Sequence, residues 1–139
     1  MAVSAAFHRN LSLLTQLVPP SDDFKRHFRE GMFDKPNSAG FIVVSHYLLT
    51  TYNAERFREL IEWPVNCKKT EAKYRKDVRD YLTKIASENS DITFPTILAS
   101  HLFHASGIKF VSIMWKLSQV VLRTCIKRHS KFHSLFVNS

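Results

Sequence analysis

Residues 31–49 read GMFDKPNSAGFIVVSHYLL. The stretch opens on a helix stopper, Gly31, and passes through Met32-Phe33-Asp34-Lys35 to Pro36. Asn37 and Ser38 follow, residue types whose side-chain oxygens cap the first free amides of a helix. Behind them, Phe41, Ile42, Val43, Val44, Tyr47, Leu48 and Leu49 cover most of a helical circumference. A helix that is apolar nearly all round is surrounded by protein. The stretch therefore predicts a buried central helix with a sharply punctuated entrance. Phe33 is expected to pack back as a plug, with Asp34 and Lys35 near the surface. His46, inside the helix, is expected as a hydrogen-bonded core histidine.

Helical periodicity continues on both sides. A first helix spans about Ser4 to Val18, with Phe7, Leu11, Leu14 and Val18 on one face, and Pro19-Pro20 stops it. A short one follows from Asp22, where acids suit a helix start, and Gly31 closes it. Another short helix holds Phe57, Leu60 and Ile61 and ends at Trp63-Pro64. Residues 70–88 place Tyr74, Val78, Tyr81, Leu82 and Ile85 in one apolar stripe among charges. Thr93 reads as a cap, with Pro95 in the first turn of a helix through Ile97, Leu98, Leu102 and Phe103 to Ser106-Gly107. The last helix runs from about Ile108 to Arg128, and residues 131–139 read as a frayed end or a truncated helix. Six or seven unequal helices around one buried helix predict an all-α compact domain. It covers residues 1–130, with residues 1–29 an N-terminal helix region and 131–139 a tail.

The chain of 139 residues is long enough for one real core. Cys67 and Cys125 lie far apart without a CxxC, which suits a reducing compartment. The N-terminus lacks a basic start followed by an apolar block, and His8, Arg9, Asn10 and Gln16 interrupt it, so no signal peptide is expected. No apolar run approaches the ~20 residues of a membrane span.

The net charge of +8 is one-sided: residues 92–139 carry six Lys/Arg and no acid. Such a field favours an acidic partner, whether nucleic acid, anionic lipid or an acidic protein tail. Lys109, Lys116, Arg123 and Lys127 fall within about 40° of one line along the final helix. A second cluster holds Lys68, Lys69, Lys73 and Lys76 with Arg75 and Arg79, diluted by Glu71, Asp77 and Asp80. The plain alternative for both is a solvated helix face. His101 and His104, or Cys125, His129 and His133, have helical metal-ligand spacing but no matching framework, so no metal is expected. No Gly-rich phosphate loop, nucleophile elbow or HExxH occurs, so neither catalysis nor a cofactor is expected. Nothing reads as a homeodomain or zinc finger, and aromatics are not interleaved with the basic line, so a nucleic-acid partner is not expected. Nor is a membrane partner.

Met32-Phe33-Asp34-Lys35-Pro36-Asn37 before an apolar helix resembles the N-terminal domain of augmin complex subunit six, in the HAUS family. Three later pieces agree in order: Phe57…Trp63-Pro64, then Tyr74-Arg75-Lys76…Ile85, then Phe94-Pro95…Leu102-Phe103…Gly107-Ile108-Lys109-Phe110…Met114. They span roughly residues 30–125. Ile108 departs from the pattern, which often has proline there, and the first 28 residues match nothing in it. The resemblance implies a calponin-homology-like fold. It also implies a role in a hetero-octamer that binds a spindle microtubule and recruits the gamma-tubulin ring complex, so that new microtubules branch from old ones. Implied partners are other augmin subunits, especially the related domain of subunit seven, and tubulin. The implied location is the cytoplasm and cytoskeleton, at the mitotic spindle and centrosome. Beyond this domain the resemblance implies a coiled coil. Charge placement alone makes the two basic clusters the expected contact with acidic tubulin. The rival expectation is a docking domain that never touches tubulin, with Phe132, Leu135 and Phe136 as apolar interface candidates.

Overall fold

A computed structural model describes the backbone of residues 2–137 and the side chains of residues 2–130. Six helices occur among the described residues: α1 (Ala2–Leu17), α2 (Asp22–His27), α3 (Ser38–Leu60), α4 (Lys68–Glu88), α5 (Ala99–His104) and α6 (Gly107–Val137). The fold is all-α. The interface candidates Phe132, Leu135 and Phe136 lie outside the described side chains.

The punctuation of residues 31–37 has a structural cause. Gly31 turns the chain with φ of 74°, a conformation that side-chain-bearing residues rarely adopt. The Asn37 side chain accepts from Gly40 N–H at 2.9 Å and donates to the Met32 carbonyl at 3.0 Å, so it caps α3 and ties down the turn. A Cβ on Gly40 would sit 2.5 Å from Asn37 Nδ2, so this cap needs glycine there. The backbone of the turn then pairs with the start of α6. Asn37 N–H donates to the Ala105 carbonyl and Gly107 N–H to the Phe33 carbonyl, each at 3.2 Å. Phe33 is buried, its ring edge-on to Phe110 at 4.8 Å and tilted on Phe7 at 6.1 Å. Asp34 and Lys35 are exposed. The plug is therefore real, and what it plugs is the junction of α1, α3 and α6.

α3 shares the centre of the molecule with α6. Phe110, Ile113, Met114, Leu117, Val120 and Val121 of α6 are as buried as Val44, Leu48 and Leu49 of α3. Two contacts at opposite ends fix the direction of each neighbour. Phe41 meets Tyr74 and Phe110 near the start of α3, at 6.0 and 5.8 Å. Near its far end, Arg56 bonds Glu88 at 2.8 Å and Arg128 bonds the Thr51 carbonyl at 2.8 Å. So α4 and α6 both run in the direction of α3. The buried Tyr74 hydroxyl meets Ser45 Oγ at 2.7 Å, and desolvation pushes its pKa up. α1 lies along α6, with Asn10 Nδ2 donating to Ser118 Oγ at 3.1 Å.

Parallel helices require the chain to travel back between them, and one of the two returns corrects the sequence reading. The short helix expected around Phe57 is present, set off from the first part of α3 by a non-helical kink at Asn53, which has φ of −162° and ψ of 96°. Asn53 Oδ1 accepts from Arg56 N–H at 3.0 Å and so caps a new helical start there. Beyond the kink, Phe57 comes to within 5.2 Å of the His46 ring. The helix expected from Thr93 is the correction. Residues 93–98 are non-helical, and only Ala99–His104 form α5. Pro95 pushes its predecessor Phe94 out of the helical region, which shuts the helix off at that end. The tail, by contrast, continues as helix, and α6 runs on to Val137.

Phe33→Ala is expected to cost about 3–5 kcal/mol of stability, because a buried aromatic leaves a cavity between two helices. Asp34→Ala and Lys35→Ala are expected to stay within about 0.5 kcal/mol. Urea denaturation of the three variants checks both statements.

Candidate protein-binding surface

The expected basic line on α6 exists as geometry but is unequal in exposure. Lys109 and Lys127 are exposed at its two ends. Between them α6 passes through the core, so Lys116 and Arg123 are half-buried. The Lys116 ammonium lies over the ring of Trp115, 4.6 Å from its centroid. Arg123 forks onto Asp91, which it meets as an ion pair, and onto Asn89 Oδ1 at 2.8 Å. The acid that neutralises Arg123 comes from the turn after α4, just outside the acid-free half of the chain. Nothing in the spacing along α6 could have signalled it.

The α4 cluster divides by helical position. Lys68, Lys69 and Lys76 are exposed, with no bonded acid among the described residues. Lys73 is exposed but bonded to Asp77 at 2.7 Å, and that bond raises its pKa. Arg75 bonds Glu71 at 3.4 Å and lies over the ring of Phe103, 5.0 Å from its centroid. Arg79 Nε donates to the Ile97 carbonyl at 3.3 Å, stitching α4 to the segment before α5.

A third feature was missed in the sequence. The outer face of α3 is not covered all round. Ile42, Val43 and His46 border an open groove of about 620 Å³ with Val18, Pro19 and Trp63 on its walls. His46 is not the hydrogen-bonded core histidine expected. It is half-buried and stacked on the Trp63 ring, with centroids 3.8 Å apart, and burial holds its pKa below the ordinary value. Trp63 lies 17 residues away across a kink, so periodicity within α3 could not reveal the pairing.

Among the described residues no group of three His, Cys, Asp or Glu could hold a metal, and no helix is long and apolar enough to cross a membrane. The described surface is a pattern of charges beside an open, largely apolar groove.

The Arg123–Asp91 pair has a titration signature. The guanidinium bond holds the Asp91 carboxyl below the ordinary carboxylate value. A carboxylate lowered in the folded state favours folding above its unfolded pKa, and that contribution fades as pH falls through the folded pKa. Arg123→Gln is expected to move the Asp91 titration upward toward that of a free aspartate. Carboxyl NMR titration of both proteins reads the shift directly.

Comparison with known proteins shows the family. The family described as HAUS augmin-like complex subunit 6 N-terminus matches residues 7–138. A zebrafish (Danio rerio) protein, HAUS augmin-like complex subunit 6, is 36% identical over 106 residues, which is 73% of this chain and 13% of that protein. The human (Homo sapiens) protein of the same name is 27% identical over 107 residues, 76% of this chain and 11% of that protein. The chain thus spans only a small part of the length of these curated relatives. With the match running almost end to end, the chain belongs to the HAUS augmin-like complex subunit 6 N-terminus family.

Proposed function

We propose that this domain is a non-enzymatic part of an augmin complex and contributes to its grip on the microtubule lattice. The observation that carries the reading is charge placement. Lys68, Lys69 and Lys76 on α4, and Lys109 and Lys127 at the ends of α6, are exposed and have no bonded acid among the described residues. Tubulin's surface and C-terminal tails are acidic, so the two fields are complementary. Lys73, Lys116 and Arg123 are committed to partners within the domain and play a smaller part.

Each exposed pair is worth roughly 0–1 kcal/mol, so a lone domain binds weakly and salt weakens it further. Useful affinity comes from avidity with other augmin subunits, the related domain of subunit seven foremost. In that setting the domain has a calponin-homology-like fold and sits at the lattice-facing head of the complex. It supports branching nucleation through the gamma-tubulin ring complex, at the spindle and centrosome. A second reading, subunit docking without tubulin contact, is favoured by the open apolar groove beside α3.

Co-sedimentation with taxol-stabilised microtubules separates the two. The 139-residue chain is expected to pellet with microtubules at low salt and to be released as salt rises. The triple variant Lys68→Glu, Lys69→Glu, Lys76→Glu is expected to bind at least about tenfold more weakly. Lys109→Glu with Lys127→Glu is expected to lose less. A folded chain that does not pellet at low salt would leave the docking reading in place, and one that binds regardless of these charges would overturn charge placement as the cause of binding.

A further inference from the structure

Exposed apolar side chains gather at one edge of the molecule. Phe103 is 60% exposed, Ile108 57% and Leu98 45%, all within or flanking α5. Single exposed apolar residues are ordinary on a soluble surface, but a run of three large ones over eleven residues is not. The Phe103 ring is also held in place. The Arg75 guanidinium covers one face at 5.0 Å and is itself fixed by Glu71. More than half of its surface remains in solvent. An aromatic that is exposed yet already ordered loses little freedom when a partner covers it, which is the property of an interface anchor.

Among the described residues, the charges of this edge that have no ion-pair partner are basic. At about 100° per residue, Lys68, Arg75 and Arg79 form the ridge of α4 that faces α5, and Lys69 and Lys76 form the next ridge outward. The contacts of Arg75 with Phe103 and of Arg79 with the Ile97 carbonyl fix that orientation. The acids of α4 on this side are engaged by the ridge itself, with Asp80 meeting Arg79 at 3.9 Å. Asp77 and Asp80 border the depression shared with Leu60 and Tyr81, on the side of α3. Glu71 is occupied by Arg75. Residues 92–109 add Lys109, His101 and His104 and no acid. The basic face of α4 and the apolar rim of α5 therefore form a single surface, a juxtaposition that neither segment displays alone in the sequence.

We propose that the α4–α5 edge is a docking surface for an unfolded acidic polypeptide segment, with Phe103 as the anchor for an apolar side chain within it. The flexible lysines suit carboxylates along an extended chain, since a compact ammonium on a long stem follows no fixed geometry. The ordered ring supplies what charge cannot, a preference among acidic sequences. This proposal goes beyond the microtubule reading and stands without it.

The test uses two fluorescein-labelled synthetic peptides, one of glutamates alone and one with phenylalanine at every fifth position, followed by fluorescence anisotropy at low salt. The phenylalanine peptide is expected to bind at least about fivefold more tightly. Phe103→Ala is expected to erase that difference while leaving binding of the all-glutamate peptide unchanged. Because Phe103 is mostly exposed, this variant is expected to melt with the parent, which calorimetry checks. The triple Lys68→Glu, Lys69→Glu, Lys76→Glu variant is expected to lose both peptides. Lys84→Glu, on the side toward Leu60, is expected to lose neither. Equal binding of the two peptides, or a preference that survives Phe103→Ala, overturns the anchor. A chain that ignores both peptides yet binds microtubules whose tails have been trimmed by subtilisin as tightly as intact ones reads a folded acidic surface. That outcome overturns the proposal while sparing the microtubule reading.

Discussion

Two backbone hydrogen bonds hold the architecture together. They tie Asn37 to Ala105 and Phe33 to Gly107, and so join the start of α3 to the start of α6. Each contributes only about 1 kcal/mol net. Between them the Phe33 ring seals the joint, adding about 1.5–3 kcal/mol of burial. With both starts pinned side by side, α3 and α6 run in one direction, and α4 follows through Tyr74 and Ser45. Parallel neighbours need return segments. The kink at Asn53 and the non-helical run 93–98 are those segments.

The same constraint decides where charge can act. α6 is threaded through the core, with α1 along one side and α3 along another. Its basic line therefore crosses the interior margin, where Arg123 needs Asp91 and Asn89 and Lys116 needs the face of Trp115. Only the ends of that line reach solvent. The free positive charge moves instead to α4, a peripheral helix whose apolar stripe is narrow and whose outer face is wet. A surface for an acidic partner is thus a consequence of which helix the core claims.

How much of this could be read from residues alone follows from the range of each interaction. The cap at Asn37 and the stripe Tyr74–Ile85 are local, spanning one or a few turns, and the sequence displays them openly, whereas the second helix stops at His27, before the Gly31 expected to close it. The burial of Phe33 was legible because an aromatic between a glycine and a proline has few other uses. The core role of α6 was only half legible. Its apolar width showed, but the partial burial of Lys116 and Arg123 depends on helices that lie beside it only after folding. Asp91 reaches Arg123 across 32 residues and Trp63 reaches His46 across 17, distances at which spacing carries no signal. The α4–α5 edge was hidden for the same reason, since Arg75 and Phe103 are 28 residues apart.

Amide hydrogen exchange at Asn37 and Gly107 tests the central joint most directly. If residues 33–37 and 105–107 hold α3 and α6 together, these two amides open only with the whole domain. They then exchange as slowly as those of Leu48 and Leu117 in the buried middles of α3 and α6. Exchange at Asn37 and Gly107 orders of magnitude faster than at Leu48 and Leu117 would show a joint that opens on its own. The parallel packing of α3, α4 and α6 would then need another cause.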